Sequence, residues 1–154
     1  MFNPPKDASG EVIPHDEPNL AGSSGFIRFI NPDFHVVPDD NTGGKRISSA
    51  AFKATNGDPS YGMSGDLEQS VIAGGLDAVD VVPTGFGAVR LLVSDIRGLG
   101  HAVGSDPILP GNQFGLPPDP HHGQAWGVKT KTHSQKLLRA ISDWVVPIPG
   151  VALR

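Results

Sequence analysis

Lys129-Thr130-Lys131-Thr132-His133-Ser134 runs straight into Gln135-Lys136-Leu137-Leu138-Arg139-Ala140-Ile141-Ser142-Asp143-Trp144-Val145, and the reading of that join decides both fold class and candidate site. Leu137, Leu138, Ile141, Trp144 and Val145 recur at helical spacing, with Lys136, Arg139 and Asp143 on the opposite side. Thr132 and Gln135 match the Ser/Thr-x-x-Glu/Gln capping box, and Pro147 and Pro149 end the run. The spacing therefore predicts a capped helix reaching Val145. Ahead of it stand three cations and three hydroxyls. A helix N-terminus carries partial positive charge and unpaired N–H groups, so it favours anions and mildly disfavours cations. Lysines and a histidine gathered there fit a site for a phosphate or carboxylate.

Working outward, Phe26-Ile27-Arg28-Phe29-Ile30 reads as a strand stopped by Asn31-Pro32, which Phe34 to Val37 can extend. Asp39 to Gly44 is a turn. Arg46 to Lys53 fits a short strand or one helical turn, and Asn56 to Gly62 is loop. Ser64 reads as an N-cap, with Asp66 and Glu68 in the first turn and Gly74-Gly75 as the stop, so a short helix is expected from Gly65 to Ala73. Val79 to Val82 and Ala88 to Val93 read as strands that can pair as a hairpin through the turn at Pro83 to Gly87. Ser94 to Arg97 suggests one capped turn, His101 to Val103 a short strand, and His122 to Val128 a central strand. Between them, Ser105 to Pro120 is a long loop with five prolines. This order predicts an α+β fold: a small mixed or antiparallel sheet with two short helices, rich in loops.

Composition agrees. The 154 residues suit one domain, and 20 Gly with 15 Pro against 38% apolar residues exclude a helical bundle. Residues 1–24 alternate proline with acidic residues around isolated apolar ones. They are expected to be a disordered tail, with some of it forming an arm over the domain or a partner, and residues 25–154 to be the single globular domain. Net charge is −4, yet Pro120 to Ser142 contains four Lys or Arg and no Asp or Glu. Such a local patch can hold a phosphate group but cannot coat a long duplex. The absence of cysteine removes disulfides, thiolate chemistry and zinc–thiolate sites. No stretch has a signal-peptide core or the length of a membrane span, so the expectation is a cytoplasmic protein without a membrane partner.

Four constellations carry chemistry. In the anion site, Thr130, Thr132 and Ser134 supply hydroxyls, Lys129 and Lys131 charge, and His133 a proton carrier; the bland alternative is a lysine-protected edge strand and an ordinary cap. Second, Asp33-Phe34-His35 and Asp119-Pro120-His121 are both Asp-x-His, and two such pairs brought together suit a divalent metal in a hydrolase. Third, His121 or His122 with His133 and Lys131 has the acid, base and cation of a metal-independent ribonuclease. Fourth, Lys45-Arg46-Ile47-Ser48-Ser49 with Tyr61-Gly62-Met63-Ser64 offers Arg46 and serines to a nucleotide such as NAD.

Arg46-Ile47-Ser48-Ser49-Ala50-Ala51-Phe52, then Met63-Ser64, and later Trp126-Gly127-Val128, resemble a pattern in small bacterial proteins of unassigned role: Arg-x-x-Ser-x-Ala-Phe, a Leu/Met-Ser pair, and a Trp-Gly-Val-like strand. The resemblance covers about half the chain in separate pieces. It implies a bacterial or phage origin and one compact domain, and carries no activity.

The leading expectation is a binding or accessory module, of the toxin- or immunity-associated kind. It recognises a phosphate-bearing ligand, RNA or an acidic protein through the segment from Lys129 to Arg139, with Arg46 as a further contact and no cofactor. The ribonuclease with His121, His122, Lys131 and His133 is the alternative, and the metal hydrolase the third.

Overall fold

The computed structural model describes residues 2–153. Its centre is an antiparallel sheet of six strands in the order β6-β7-β4-β1-β5-β8. The strands are β1 (Gly25–Ile30), β4 (Met63–Leu67), β5 (Gly87–Leu92), β6 (Ala102–Ser105), β7 (His122–Trp126) and β8 (Ile141–Val146). A smaller sheet joins β2 (Val36–Pro38) and β3 (Lys45–Ile47) antiparallel, with β9 (Val151–Ala152) parallel to β3. Three helices complete the α+β architecture: α1 (Glu68–Ala73), α2 (Val93–Gly98) and α3 (Lys131–Arg139).

Period-2 patterning sets what each sheet face buries. Phe26 and Ile30 of β1, Met63 and Leu67 of β4, and Val89 and Leu91 of β5 point into the main core, where Phe52 and Leu137 of α3 close over them. Ile27 and Ala88 point the other way, onto Val71 of α1 and Ala78. Burying each large side chain contributes roughly 1.5–3 kcal/mol. Close approach of β4 to β1 needs Gly65, since a Cβ there would lie 2.4 Å from Phe26 Cε1.

Three local expectations are corrected. Ser64 is inside a strand and not a cap, because Met63 to Asp66 pair with β7 and the end of β4 with β1; the helix starts only at Glu68. Val79 to Val82 is not half of a hairpin. Ala78–Val81 is a 3-10 turn in which Asp80 Oδ2 accepts from Asp77 N–H at 2.8 Å, and β5 takes β1 and β8 as its partners. The helix predicted to reach Val145 ends at Arg139, and Ile141 begins β8. Leu91, Arg90, Val89 and Ala88 pair with Ile141, Asp143, Trp144 and Val146, skipping Ser142 and Val145. Each skipped residue marks a bulge, which puts two residues opposite one. Two bulges turn a period-2 strand into apolar spacings of three and one, which imitate a helix.

The undecided stretch from Arg46 to Lys53 is both things in turn. β3 runs through Ile47, and Ser48 then caps a 3-10 turn at Ser49–Ala51, its Oγ accepting from Ala50 N–H at 3.1 Å. Phe34 to Val37 does not prolong β1: the chain reverses at Asn31 to His35 and enters the small sheet.

The N-terminal segment lies along β6 and α2. Glu17 N–H donates to Val103 O at 2.9 Å, Glu17 accepts from Ser105, and Arg97 holds Asp16 Oδ1 at 3.0 Å together with the carbonyls of Glu17 and Leu20. Leu20 is buried in the main core. No helix among the described residues is long and apolar enough to cross a membrane.

Candidate functional site: a cationic cavity

β7 ends at Trp126, and the chain crosses Gly127 and Val128 to reach α3. The helix is capped by Thr130, not by Thr132: Thr130 Oγ1 accepts from His133 N–H at 3.2 Å. Lys131, Thr132 and His133 therefore form the first turn itself, two residues earlier than the capping-box reading places them. α3 packs against the 3-10 turn at Ser49–Ala51. Both segments start at the rim of one cavity of about 430 Å³. Its polar wall is Ser48, Ser49, Lys53, Lys129, Thr130, Lys131 and Ser134, and none of its lining residues is acidic.

The hydroxyl geometry suits an anion. Ser48 Oγ and Thr130 Oγ1 each accept from a backbone N–H, so the O–H of each remains as a donor. Ser134 is less available, since its hydroxyl donates to Thr130 O at 3.4 Å. Lys53, Lys129 and Lys131 line the cavity with no acidic residue among them, and α3 begins at its rim, so the site presents cations, hydroxyl donors and one helix start together.

Behind the first turn, His133 Nδ1 accepts from Lys129 N–H at 3.1 Å, which ties Lys129 to α3. The His133 ring meets His101 edge-on at 5.1 Å. His101 is buried, and burial first, then the neighbouring His133 and Lys136, lower its pKa. It stays neutral beside the cationic rim.

Lys129, Thr130, Lys131 and Ser134 thus meet at one place. Thr132 is exposed on the same turn, and His133 braces that turn from behind. Arg46 is not among the lining residues: its Nη1 donates to Ile47 O at 3.3 Å on β3. Lys53 is not among the site residues that the sequence suggests; it is the last residue of the Arg46 to Lys53 stretch readable as strand or helical turn. No periodicity reports that a 3-10 turn will bring it to α3.

His121 and His122 lie elsewhere. His122 opens β7 and His121 precedes it; the last residue of the strand is roughly 13 Å further on at about 3.3 Å per residue, and α3 comes after that. His121 Nδ1 pairs with Ser70 Oγ at 2.9 Å, and His122 Nδ1 with Asp106 O at 2.7 Å. The ribonuclease reading needs these rings at one centre with Lys131 and His133, and the fold puts them at opposite ends of β7. The two Asp-x-His pairs do not gather either. His35 Nδ1 accepts from Asn31 N–H at 2.9 Å, and Asp119 Oδ1 accepts from His121 N–H at 3.0 Å. Among the described residues no group of three or more His, Cys, Asp or Glu is placed to hold a metal ion.

No family model matches the chain, and no curated protein or solved structure is significantly similar to it.

Proposed function

We propose that the protein is a recognition module for a phosphate-bearing ligand, held in the cavity between the Ser48–Ala51 turn and the start of α3. The observation that carries this reading is the convergence of Lys53, Lys129 and Lys131 with the start of α3 on one concave site whose lining holds no acidic residue. The size argues for a small group. A cavity of about 430 Å³ takes a phosphate and the moiety attached to it, and is far below what an oligonucleotide duplex requires. Phosphate is favoured over carboxylate because it offers three or four acceptor oxygens to the O–H groups of Ser48 and Thr130 and to three ammonium groups.

Titration calorimetry with a nucleoside monophosphate, a 5′-phosphorylated short RNA and an acidic peptide tests this. A phosphate ligand binds, weakens steeply between 50 mM and 300 mM salt, and loses about tenfold or more in Lys129→Ala/Lys131→Ala, since each charge-assisted contact contributes about 1.5–3 kcal/mol. His121→Ala leaves it unchanged. Binding of the acidic peptide alone moves the reading to an acidic protein partner, and binding of nothing anionic at low salt ends it.

A further inference from the structure

The opposite face of the sheet carries a second cavity with reversed chemistry. Asp66 on β4 is in register with Ile27 of β1 and His122 of β7, so it shares the Ile27 face and points away from the core around Phe26. Asp66 is only 1% exposed, and no N–H or hydroxyl group donates to either of its carboxyl oxygens. A buried carboxyl without such donors is costly, and folds retain such groups where something other than stability needs them. It lines a cavity of about 430 Å³ together with Asp119 and His122.

The neighbours define what fits. The Asp119 carboxyl lies beside that of Asp66, and burial first, then a carboxyl–carboxylate hydrogen bond with Asp119 and the Asp119 charge, push Asp66 up to about 8. His122 Nδ1 faces the Asp106 carbonyl, which can only accept, so Nδ1 carries a proton and donates it there. The cation among the lining residues, Arg28, gives two of its five N–H donors to backbone carbonyls: Nε to Ala51 O at 2.7 Å and Nη1 to Ser64 O at 2.6 Å. Apart from Ser64, the remaining wall is apolar, with Phe29, Val81, Pro83, Ile108 and Leu116. One side of it is the loop after β6. Ile108 and Asp119 pin that loop by exchanging two backbone hydrogen bonds of 2.9 Å, and Asn112 braces it from within through Leu109 O and Leu116 O. The same pin sets Asp119 at the mouth, while Leu109, Phe114 and Leu116 stay exposed along the loop.

We propose that this cavity binds a small organic cation, an apolar body bearing one primary ammonium or amidinium group, seated with its nitrogen between Asp66 and Asp119. The cation replaces the proton that Asp66 holds at neutral pH, supplies the missing donors, and leaves its apolar part against Ile108 and Leu116. The site shares no lining residue with the cationic cavity.

Benzylamine, benzamidine and benzyl alcohol, titrated into the full chain and followed by amide chemical shifts and calorimetry, decide the matter. The amine and the amidine are expected to bind at least tenfold more tightly than the alcohol, to shift Val81, Ile108 and Asp119, and to release a proton at pH 7, read from heats in buffers of different ionisation enthalpy. Asp66→Asn, and separately Asp119→Asn in case the first variant misfolds, each lose tenfold or more of that binding, whereas Lys129→Ala/Lys131→Ala keeps it. Equal binding of amine and alcohol, shifts confined to another surface, unchanged affinity in both Asp variants, or no binding of any probe at 10 mM would each overturn the proposal.

Discussion

Arg90 on β5 and Asp143 on β8 stand opposite each other in the sheet, Nη1 to Oδ1 at 2.9 Å, and Arg90 also clasps Glu68 at the start of α1. One guanidinium therefore ties the edge strand β8, its neighbour β5 and a helix start. The two carboxylates differ in surroundings: Glu68 is 15% exposed and Asp143 58%.

That difference predicts unequal costs. Arg90→Met strands Glu68 in a mostly buried place and should lower stability by about 2 kcal/mol. Asp143→Asn removes an exposed, screened partner and should cost under about 1 kcal/mol. Urea unfolding of both variants checks the order, and a larger loss from Asp143→Asn would contradict it.

The cap position is open to direct test. Thr130→Ala removes the oxygen that accepts from His133 N–H and should cost about 1 kcal/mol, whereas Thr132→Ala, exposed within the first turn, should change stability by no more than a few tenths. Thermal unfolding of the pair settles which threonine begins α3.

Asp66 makes stability fall with rising pH. Its folded pKa of about 8 lies above the ordinary 3.8, so between those values the folded chain keeps a proton that the unfolded chain releases. The group adds nothing to the pH dependence below about 4, and its full penalty is present above about 8. Asp66→Asn should therefore be more stable than the parent at pH 9, on the order of 1–3 kcal/mol, with the gain shrinking toward pH 5. Chemical denaturation at three pH values reads this, and a gain that grew on acidification would refute it.

His35 acts with the opposite sign. Burial first, then the nearby Arg28 charge, lower its pKa from 6.5 to about 4. Between those values the unfolded chain binds a proton that the folded chain refuses, so stability drops as pH falls through that window and is unaffected above it. His35→Asn keeps an acceptor for Asn31 N–H and should flatten the acid limb, while the His35 ring resonance in the parent should show no titration between pH 5.5 and 8.

Legibility varied with how local each signal was. Phe26 to Ile30 and Ala88 to Val93 are legible as strands because β1 and β5 pair with each other along an uninterrupted ladder, with only Val93 passing to α2. The start of α3 was readable to within two residues from its hydroxyls and lysines, and with it most of the cationic site. Asp66 was assigned to a helix because Ser64 and Glu68 imitate cap chemistry. Once Met63 to Leu67 is a strand, an Asp at its inward position is the signal that points to the second cavity.

By itself, then, the sequence determined an α+β chain without thiol chemistry and a helix start within Lys129 to Ser134, because composition, propensity and capping act over a few neighbours. Only the tertiary structure decided that Ile141 to Val146 is a bulged edge strand, that Lys53 reaches α3, that His122 and His133 are kept apart, and that Asp66 and Asp119 are brought together. Those outcomes depend on strand register and on contacts between residues far apart in the chain, and burial across such contacts outweighs the local preference of any single segment.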